Sequence, residues 1–474
     1  MATAPKTIFG RHSHDTQAQT YQELLDSDDH AIPAHLKRRL EVTALEGPVE
    51  VPVRWYLDPE IMKLEVEGIW KRTWQFACRA DQLKEVGDTF VYNIATLSFV
   101  LVRTSAEEIK GYWNSCLHRG VPLRQCAGRI DRLQCPFHGF TWNLKGESVL
   151  IPYPEEFPHI DPKNFNLPEI QVAVWQGCVF VNPDLSANSF KEYIGIFEDI
   201  IPPNPIDEYE TVAHIIKEFP TNWKALHQAF CEAYHVLTTH PQYSISAAGE
   251  RCSGFGSSGN VAFGFAATGV TSDYVSNTPT EMQIFRVMND VWDDEDVPEL
   301  VLPEGTTART AFAQRAREMA RPIMGEQVDQ ACDADMIDTF YPVLFPNFNV
   351  TFQGPLNRPI YVFRPHASDP DKSTMEILLL RRIPAGTEPA NPPKPFLLNE
   401  EQDFSDIEAL GSFGVFISQD SGNMRGITLG MRNSKSGKVR FARALESVIR
   451  HFFARYEEAL GLSADQEIAA LRPQ

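Results

Sequence analysis

The sequence predicts an α+β chain in which an all-β domain is followed by a larger domain of mixed sheet and helix. Three observations predict it. Between residues 88 and 183 the runs TFVYNI, SFVLVR, IKGYWNSC, FTWNL and CVFVNP alternate apolar with polar residues. Gly, Pro and Asn-rich turns break them, as in a compact β domain. At 200–208 the segment IIPPNPIDE interrupts regular structure with proline, which makes it a linker candidate. Beyond it, strand-like and helical patterns are interleaved. The 474 residues correspond to about three domains on length alone, with two allowed. A chain of this length buries a large core without disulfide or metal staples.

In chain order, residues 1–50 are polar, with helical fragments TYQELLDSDD and AHLKRRLEVTAL, and a helix is expected over DPEIMKLEVEGIWKRTW at 58–74. The β runs follow. After the linker, VAHIIKEFP reads as a strand leading into a helical NWKALHQAFCEAYHV. The segment 287–340 is acidic and then helical, the candidate for a variable lid. NVTFQG, IYVFRP and TMEILLLRRI read as sheet strands. VRFARALESVIRHFFARYEEAL (439–460) has the apolar spacing of one long amphipathic helix.

Composition is that of a folded protein, 43% hydrophobic and 22% charged, which excludes disordered, collagen-like and disulfide-scaffold classes. The 63 acidic and 43 basic residues give a net charge of -20, which argues against nucleic acid as a partner; its plain reading is solubility. No window approaches the ~18 apolar residues of a membrane span. The first residues, MATAPKTIFGRHSHDTQAQTY, lack the apolar run of a secretion signal, so a cytoplasmic protein is expected. In a reducing compartment eight cysteines do not argue for disulfides, and their spacing becomes the informative quantity.

That spacing is unusual at two places. Cys116-Leu117-His118 is followed, sixteen residues later, by Cys135-Pro136-Phe137-His138. Each pair fits one loop tip, with Gly120, Pro122, Pro136 and Gly139 as turn residues. Zinc sites usually pair Cys with Cys and His with His along the chain. Here each tip supplies one of each, which suits a [2Fe–2S] cluster of the Rieske type, with two Cys on one iron and two His on the other. Zinc, or four unrelated residues, are the competing readings. Arg119, Arg124, Arg129, Arg132 and Lys145 surround the motif against Asp131 and Glu147. That local reversal of charge suits a docking face for an acidic electron donor such as a ferredoxin, or is a set of ordinary solvated cations.

The second place is Asn222 to Pro241. His235 and His240 lie five residues apart, about 140° beyond a full helical turn, so a straight helix does not aim both at one point. The helix must bulge or end before His240, as Thr238, Thr239 and Pro241 favour. Asp420, in FISQDSGN, is the best candidate for a third ligand. Two His and a carboxylate on one face of iron leave the opposite face open, the arrangement of non-haem Fe(II) oxygenases. Solvated or core histidines are the plain alternative.

With both motifs in order and at these spacings, the sequence resembles the large (α) subunits of Rieske non-haem iron, ring-hydroxylating oxygenases, from about residue 55 to the end. The resemblance implies a helical segment at 1–73 packing on the catalytic domain. It implies a Rieske [2Fe–2S] domain at 74–190 and a catalytic domain at 200–474, an antiparallel sheet wrapped by helices (helix-grip, START-like). It implies that Cys116, His118, Cys135 and His138 bind the cluster and that His235, His240 and Asp420 bind Fe(II). Glu232, three residues before His235, would bridge that histidine to His138 of a neighbouring subunit. A bridge between subunits makes a head-to-tail homotrimer the natural assembly. Many members have Asp at the bridge; Glu also occurs, notably among relatives that lack a β subunit, which favours α3 slightly over α3β3. Ala229 stands where the naphthalene and biphenyl enzymes have Asn, a departure; Asn423 fits the family pattern Q-D-x-x-N.

The implied activity is that of a terminal oxygenase using O2 and NAD(P)H-derived electrons. No GxGxxG fingerprint is present, so a separate reductase, with or without a ferredoxin, is implied. The substrate would be small and apolar, aromatic or polycyclic, and the product a cis-dihydrodiol. A monooxygenase or demethylase acting on a non-aromatic or quaternary-ammonium substrate is the alternative. A Rieske electron carrier without oxygenase activity is a different class again. Leu226, Phe230, Leu237, Phe345 and Phe413 are candidate pocket walls, while His227 and Cys231 flank the site without being expected as ligands.

Overall fold

The computed structural model describes residues 20–203, 205–247, 252–275, 278–291, 300–399 and 401–471. The acidic run at 292–299 and the first nineteen residues, both read above, lie outside the described residues. Two compact units divide the chain: residues 58–193 with 364–370, and the remainder.

The first unit is built from β-strands. One antiparallel sheet runs in the order Gln75–Arg79, Cys178–Asn182, Glu169–Trp175, Ile109–Trp113, Leu97–Arg103, Asp88–Ile94 and Gly128–Arg129. A second has three short strands, Leu133–Gln134, Thr141–Trp142 and Ser148–Leu150. Val100, Val102, Tyr112, Leu133, Phe140 and Trp142 form a core that also contains Cys116 and Cys135. Trp142 is fully buried yet satisfied, its indole N–H donating to the Phe165 carbonyl at 2.7 Å. The helix expected over 58–74 exists as Pro59–Glu65, N-capped by the Asp58 side chain, and passes into a wider π turn at Val66–Trp70.

The second unit wraps helices round a large sheet. Its order is Ser253–Ser258, Val261–Ala266, Thr339–Leu344, Phe348–Val350, Asn357–Pro365, Ser373–Arg382, Tyr209–Phe219 and Phe396–Leu398, with Phe352–Gln353 beside Thr339–Leu344. Phe396–Leu398 pairs in parallel with Tyr209–Phe219. Ile215, Phe219, Phe363, Met375 and Ile377 from the strands pack against Leu226, Ile417 and Met424 from the helices. Residues 20–57 belong here. Tyr21 lies 4.7 Å from the Phe265 ring, and Arg39 stacks 3.6 Å over Phe340 while its Nε donates to the Ile200 carbonyl.

Two expectations need correction. The C-terminal helix does not begin at 439: Lys438–Arg440 is a strand paired with Glu50–Pro52, and the helix is Ser447–Leu460. Glu50 accepts from both Lys438 and Arg440, which ties that strand pair at its edge. The run 222–236 is not one helix: it stops at Gln228. No helix among the described residues is long and apolar enough to cross a membrane. None of the eight cysteines is in a disulfide.

The buried pair Arg309–Asp338 ties the helix Ala308–Met324 to the sheet. Arg309 donates to both carboxylate oxygens, at 2.5 and 2.9 Å, and Asp338 also accepts the Thr268 amide. Breaking a buried pair leaves an uncompensated charge, so Asp338→Ala is expected to lower unfolding free energy by about 3–5 kcal/mol. Urea unfolding checks this; a loss below about 1 kcal/mol, the range of exposed pairs, would count against it.

Candidate active site

The two Cys/His tips are built alike. The Cys116 carbonyl accepts the Gly120 amide at 2.8 Å, and the Cys135 carbonyl accepts that of Gly139 at 3.1 Å. The Cys amides donate onward to Val121 and Phe140. Gly120 and Gly139 both have φ of +81°, the left-handed region in which a side chain is strained. The His118 and His138 rings stand 4.7 Å apart, and His118 stacks on Phe140. Both thiols are buried. Burial raises the Cys116 pKa, the His118 amide opposes this, and the adjoining Cys135 thiol raises it further. His118 Nδ1 is buried with no hydrogen-bond partner. Two adjoining sulfurs and an orphaned imidazole nitrogen fit the donor set of a Rieske cluster.

The outer edge of this site is exposed. His138 and Arg119 lie at the surface, and Phe137, 54% exposed, carries the Arg119 guanidinium 4.5 Å over its ring. The reversal of charge is smaller than the residue count suggests, because Arg129 is paired with Asp88 and Arg132 lies beside Asp131.

The strand Tyr209–Phe219 delivers the chain to Asn222, whose side chain caps the helix Trp223–Gln228. Residues 229–235 are irregular. His235 then caps one short turn, Val236–Thr239, and His240 ends it with φ -121° and ψ 58°. The first helix thus ends before both histidines, and the short turn between them ends at His240, as its Thr and Pro neighbours predict. Asp420 projects from the long helix Ser412–Arg432. Its Oδ1 lies 2.9 Å from His240 Nε2 and 3.2 Å from His235 Nε2. These three residues have ligating atoms within 4.8 Å of one another.

The far side of each ring is held. His235 Nδ1 lies 2.5 Å from Glu232 Oε1, whose other oxygen accepts the His235 amide. His240 Nδ1 lies 2.8 Å from Gln419 Oε1, which also accepts from Gln242. Phe416 stacks on His240 at 3.8 Å. With Nδ1–H donating outward, each Nε2 faces Asp420 and can give its lone pair to a cation placed between them. Asp420 Oδ2 is buried without a hydrogen-bond partner. Burial disfavours charge on His235, yet hydrogen bonds and charges from Asp420 and Glu232 outweigh it and raise its pKa to about 10. Burial alone raises the Asp420 pKa, but the two histidines reverse this and hold it below the usual range. Both directions favour positive charge at this point, which fits a divalent cation with two imidazoles and one carboxylate. Gln419→Ala is expected to weaken metal binding about 10–100-fold, read as Fe(II) affinity; unchanged affinity would remove Gln419 from the positioning role.

A second grouping, Asp28, His30 and Asp333, already surrounds a cation: Arg317 Nη2 lies 2.7 Å from Asp333 and 3.2 Å from His30.

A cavity of about 530 Å³ opens beside His235 and Asp420. Of the candidate wall residues only Phe230 and Phe413 line it. Leu226 and Phe345 lie in the core, and Leu237 is half-buried elsewhere. Sequence reasoning missed Phe312, Met288, Tyr341, Tyr361 and Phe416, which also line it. Tyr341 and Tyr361 lie on strands buried at nearly every position, so no alternation in the sequence separates cavity wall from core. His227 does not face the metal site: it is fully buried against Asn349 at 2.9 Å, and burial pushes its pKa down to about 4.

The chain thus carries a Cys/His cluster site in one unit and a two-His, one-carboxylate site in the other, the pair of sites that Rieske-type, iron-dependent oxygenases combine. Comparison with known proteins agrees. Residues 73–175 match the Rieske [2Fe-2S] domain, and residues 206–462 match the ring hydroxylating alpha subunit (catalytic domain). The chain belongs to the ring-hydroxylating oxygenase α-subunit family. Over 202 residues it is 29% identical to a chloroplastic choline monooxygenase of Amaranthus tricolor, covering 41% of this chain and 45% of that protein. Over 193 residues it is 29% identical to the chlorobenzene dioxygenase subunit alpha of Cupriavidus sp. (strain PS12), covering 39% and 43%. The alignments therefore span less than half the length of these curated relatives. Among solved structures, the quaternary ammonium Rieske monooxygenase CntA with L-carnitine superposes at TM-score 0.61 and 15% identity, over 87% of this chain and 96% of that one. The naphthalene 1,2-dioxygenase of Rhodococcus sp. with indole does so at 0.59 and 20%, over 94% and 98%. These likenesses establish the shared fold.

Proposed function

We propose that this chain is the terminal oxygenase of an NAD(P)H-dependent system, fed by a separate reductase with or without a ferredoxin. Its reaction is cis-dihydroxylation of an apolar, aromatic or polycyclic substrate. The observation that carries this reading is the cluster of His235, His240 and Asp420, of which His235 and Asp420 line an aromatic-walled cavity. Cys116, His118, Cys135 and His138 would hold the [2Fe–2S] cluster, and His235, His240 and Asp420 the Fe(II). The cluster supplies electrons one at a time, and Fe(II) with open positions supplies activation of O2.

The remaining work belongs to side chains. Glu232 and Gln419 fix both imidazoles in the tautomer that leaves Nε2 available. Phe230, Tyr361, Phe413 and Phe416 bind an apolar ring and exclude water from it. The exposed His138 and the Glu232 carboxylate suit the bridge between neighbouring subunits described above, in a homotrimer, α3 in preference to α3β3. Eight cysteines without a disulfide agree with a cytoplasmic setting.

A monooxygenase acting on a quaternary-ammonium compound is the second reading, supported by likeness to proteins named for choline and carnitine. Turnover with labelled O2 and a supplied reductase tests both. Two labelled atoms in the product are expected. One labelled atom favours the second reading, and none with any reduced, substrate-bound sample overturns the oxygenase reading.

A further inference from the structure

The acidic side chains of the cavity beside the proposed iron site outnumber its basic ones. Among the described residues its acidic lining is Glu232, Asp290 and Asp420, and no lysine or arginine lines it. Glu232 and Asp420 are engaged by His235 and His240. Asp290 is not. It is exposed at the cavity's edge, and one carboxylate oxygen accepts the Tyr243 hydroxyl at 3.1 Å. Asp290 follows the helix Glu281–Met288, whose last residue, Met288, also lines the cavity. The negative end of that helix therefore adds to the acidic field. A φ of +57° at Asp290, in the left-handed region that aspartate tolerates better than most residues, places the carboxylate there.

We propose that this cavity admits uncharged and cationic substrates and rejects carboxylates, with Asp290 as the specificity-determining residue at its mouth. A carboxylate drawn into the cavity sheds water and meets no basic side chain. A divalent ion at the His235 site offsets only two of the three negative charges. An ammonium or hydroxyl group, by contrast, finds Asp290 and the Tyr243 hydroxyl at the entrance and aromatic faces within, which favour a cation. The inference deepens the oxygenase reading and rests on it only for the identity of the site.

The test measures binding to the metal-loaded full chain by calorimetry with three probes on one skeleton: 1-naphthylmethylamine, 1-naphthylmethanol and 1-naphthoate. The amine and the alcohol are expected to bind at least about tenfold more tightly than the carboxylate, the scale of one unpaired buried polar group. Because Asp290 is exposed, Asp290→Asn is expected to narrow the amine-to-carboxylate ratio by only about two- to fivefold, and high salt to narrow it likewise. Asparagine accepts the same backbone conformation, so the variant folds. Asp290→Lys is expected to close the ratio further. A wild-type protein that binds naphthoate as tightly as the amine overturns the proposal. So does an unchanged ratio in Asp290→Asn, or failure of all three probes to bind. The expected ranking without labelled oxygen in any product would leave this inference standing and remove the oxygenase reading.

Discussion

Asp420→Ala is expected to abolish turnover and to lower iron from about three to about two atoms per chain while the Rieske spectrum stays intact. Asp420 Oδ1 is the one carboxylate oxygen within 3.2 Å of both Nε2 atoms. Glu232 cannot replace it, because both its oxygens are engaged by His235. Asp420 sits within a helix of 21 residues, so alanine preserves the local backbone. His235→Ala should behave the same way. Iron assay, the visible spectrum and electron paramagnetic resonance read the outcome. Loss of the Rieske signal in either variant, or activity above about 1% of wild type, would contradict the assignment.

Glu232→Gln is expected to leave both metal sites filled and yet slow reoxidation of the reduced cluster about 10–100-fold. The glutamine oxygen can still accept from His235 Nδ1, so ring orientation survives. What is lost is the negative charge and the second acceptor, the features by which one side chain would serve two imidazoles in the proposed bridge. Rapid mixing of reduced, substrate-bound protein with O2, followed by absorbance of the cluster, measures this. A wild-type rate would confine Glu232 to holding His235. Loss of iron from the variant would show that the carboxylate acts on the metal site itself.

Local sequence carried the ligand sets because their spacing is set by chemistry. A CLH tip and a CPFH tip each need one turn, and that constraint is visible in contiguous residues. Asp420, at a distance of 180 residues from His240, entered as the best available carboxylate and as an implication of family resemblance. The break in the 222–236 run was harder to place. Ala229, Glu232 and Ala233 favour helix individually, and tertiary contacts override them. The strand Lys438–Arg440 was hidden for the same reason: its partner Glu50–Pro52 lies nearly four hundred residues away, and pairing between distant segments leaves no local periodicity. The cavity was least legible. Tyr341 and Tyr361 sit on strands as any core tyrosine would, and neighbouring chain alone does not distinguish a wall from an interior.

The segment carrying His240 is fastened to the helix bearing Asp420 by the Phe416 ring and by the Gln242–Gln419 and Thr239–Asn423 contacts. A receptor assembled in this way spends little conformational entropy when its ion arrives. Iron stripped by a chelator should consequently return on simple addition of ferrous salt, without denaturation and renewed folding, and hydrogen exchange over residues 236–243 should change little between the two states.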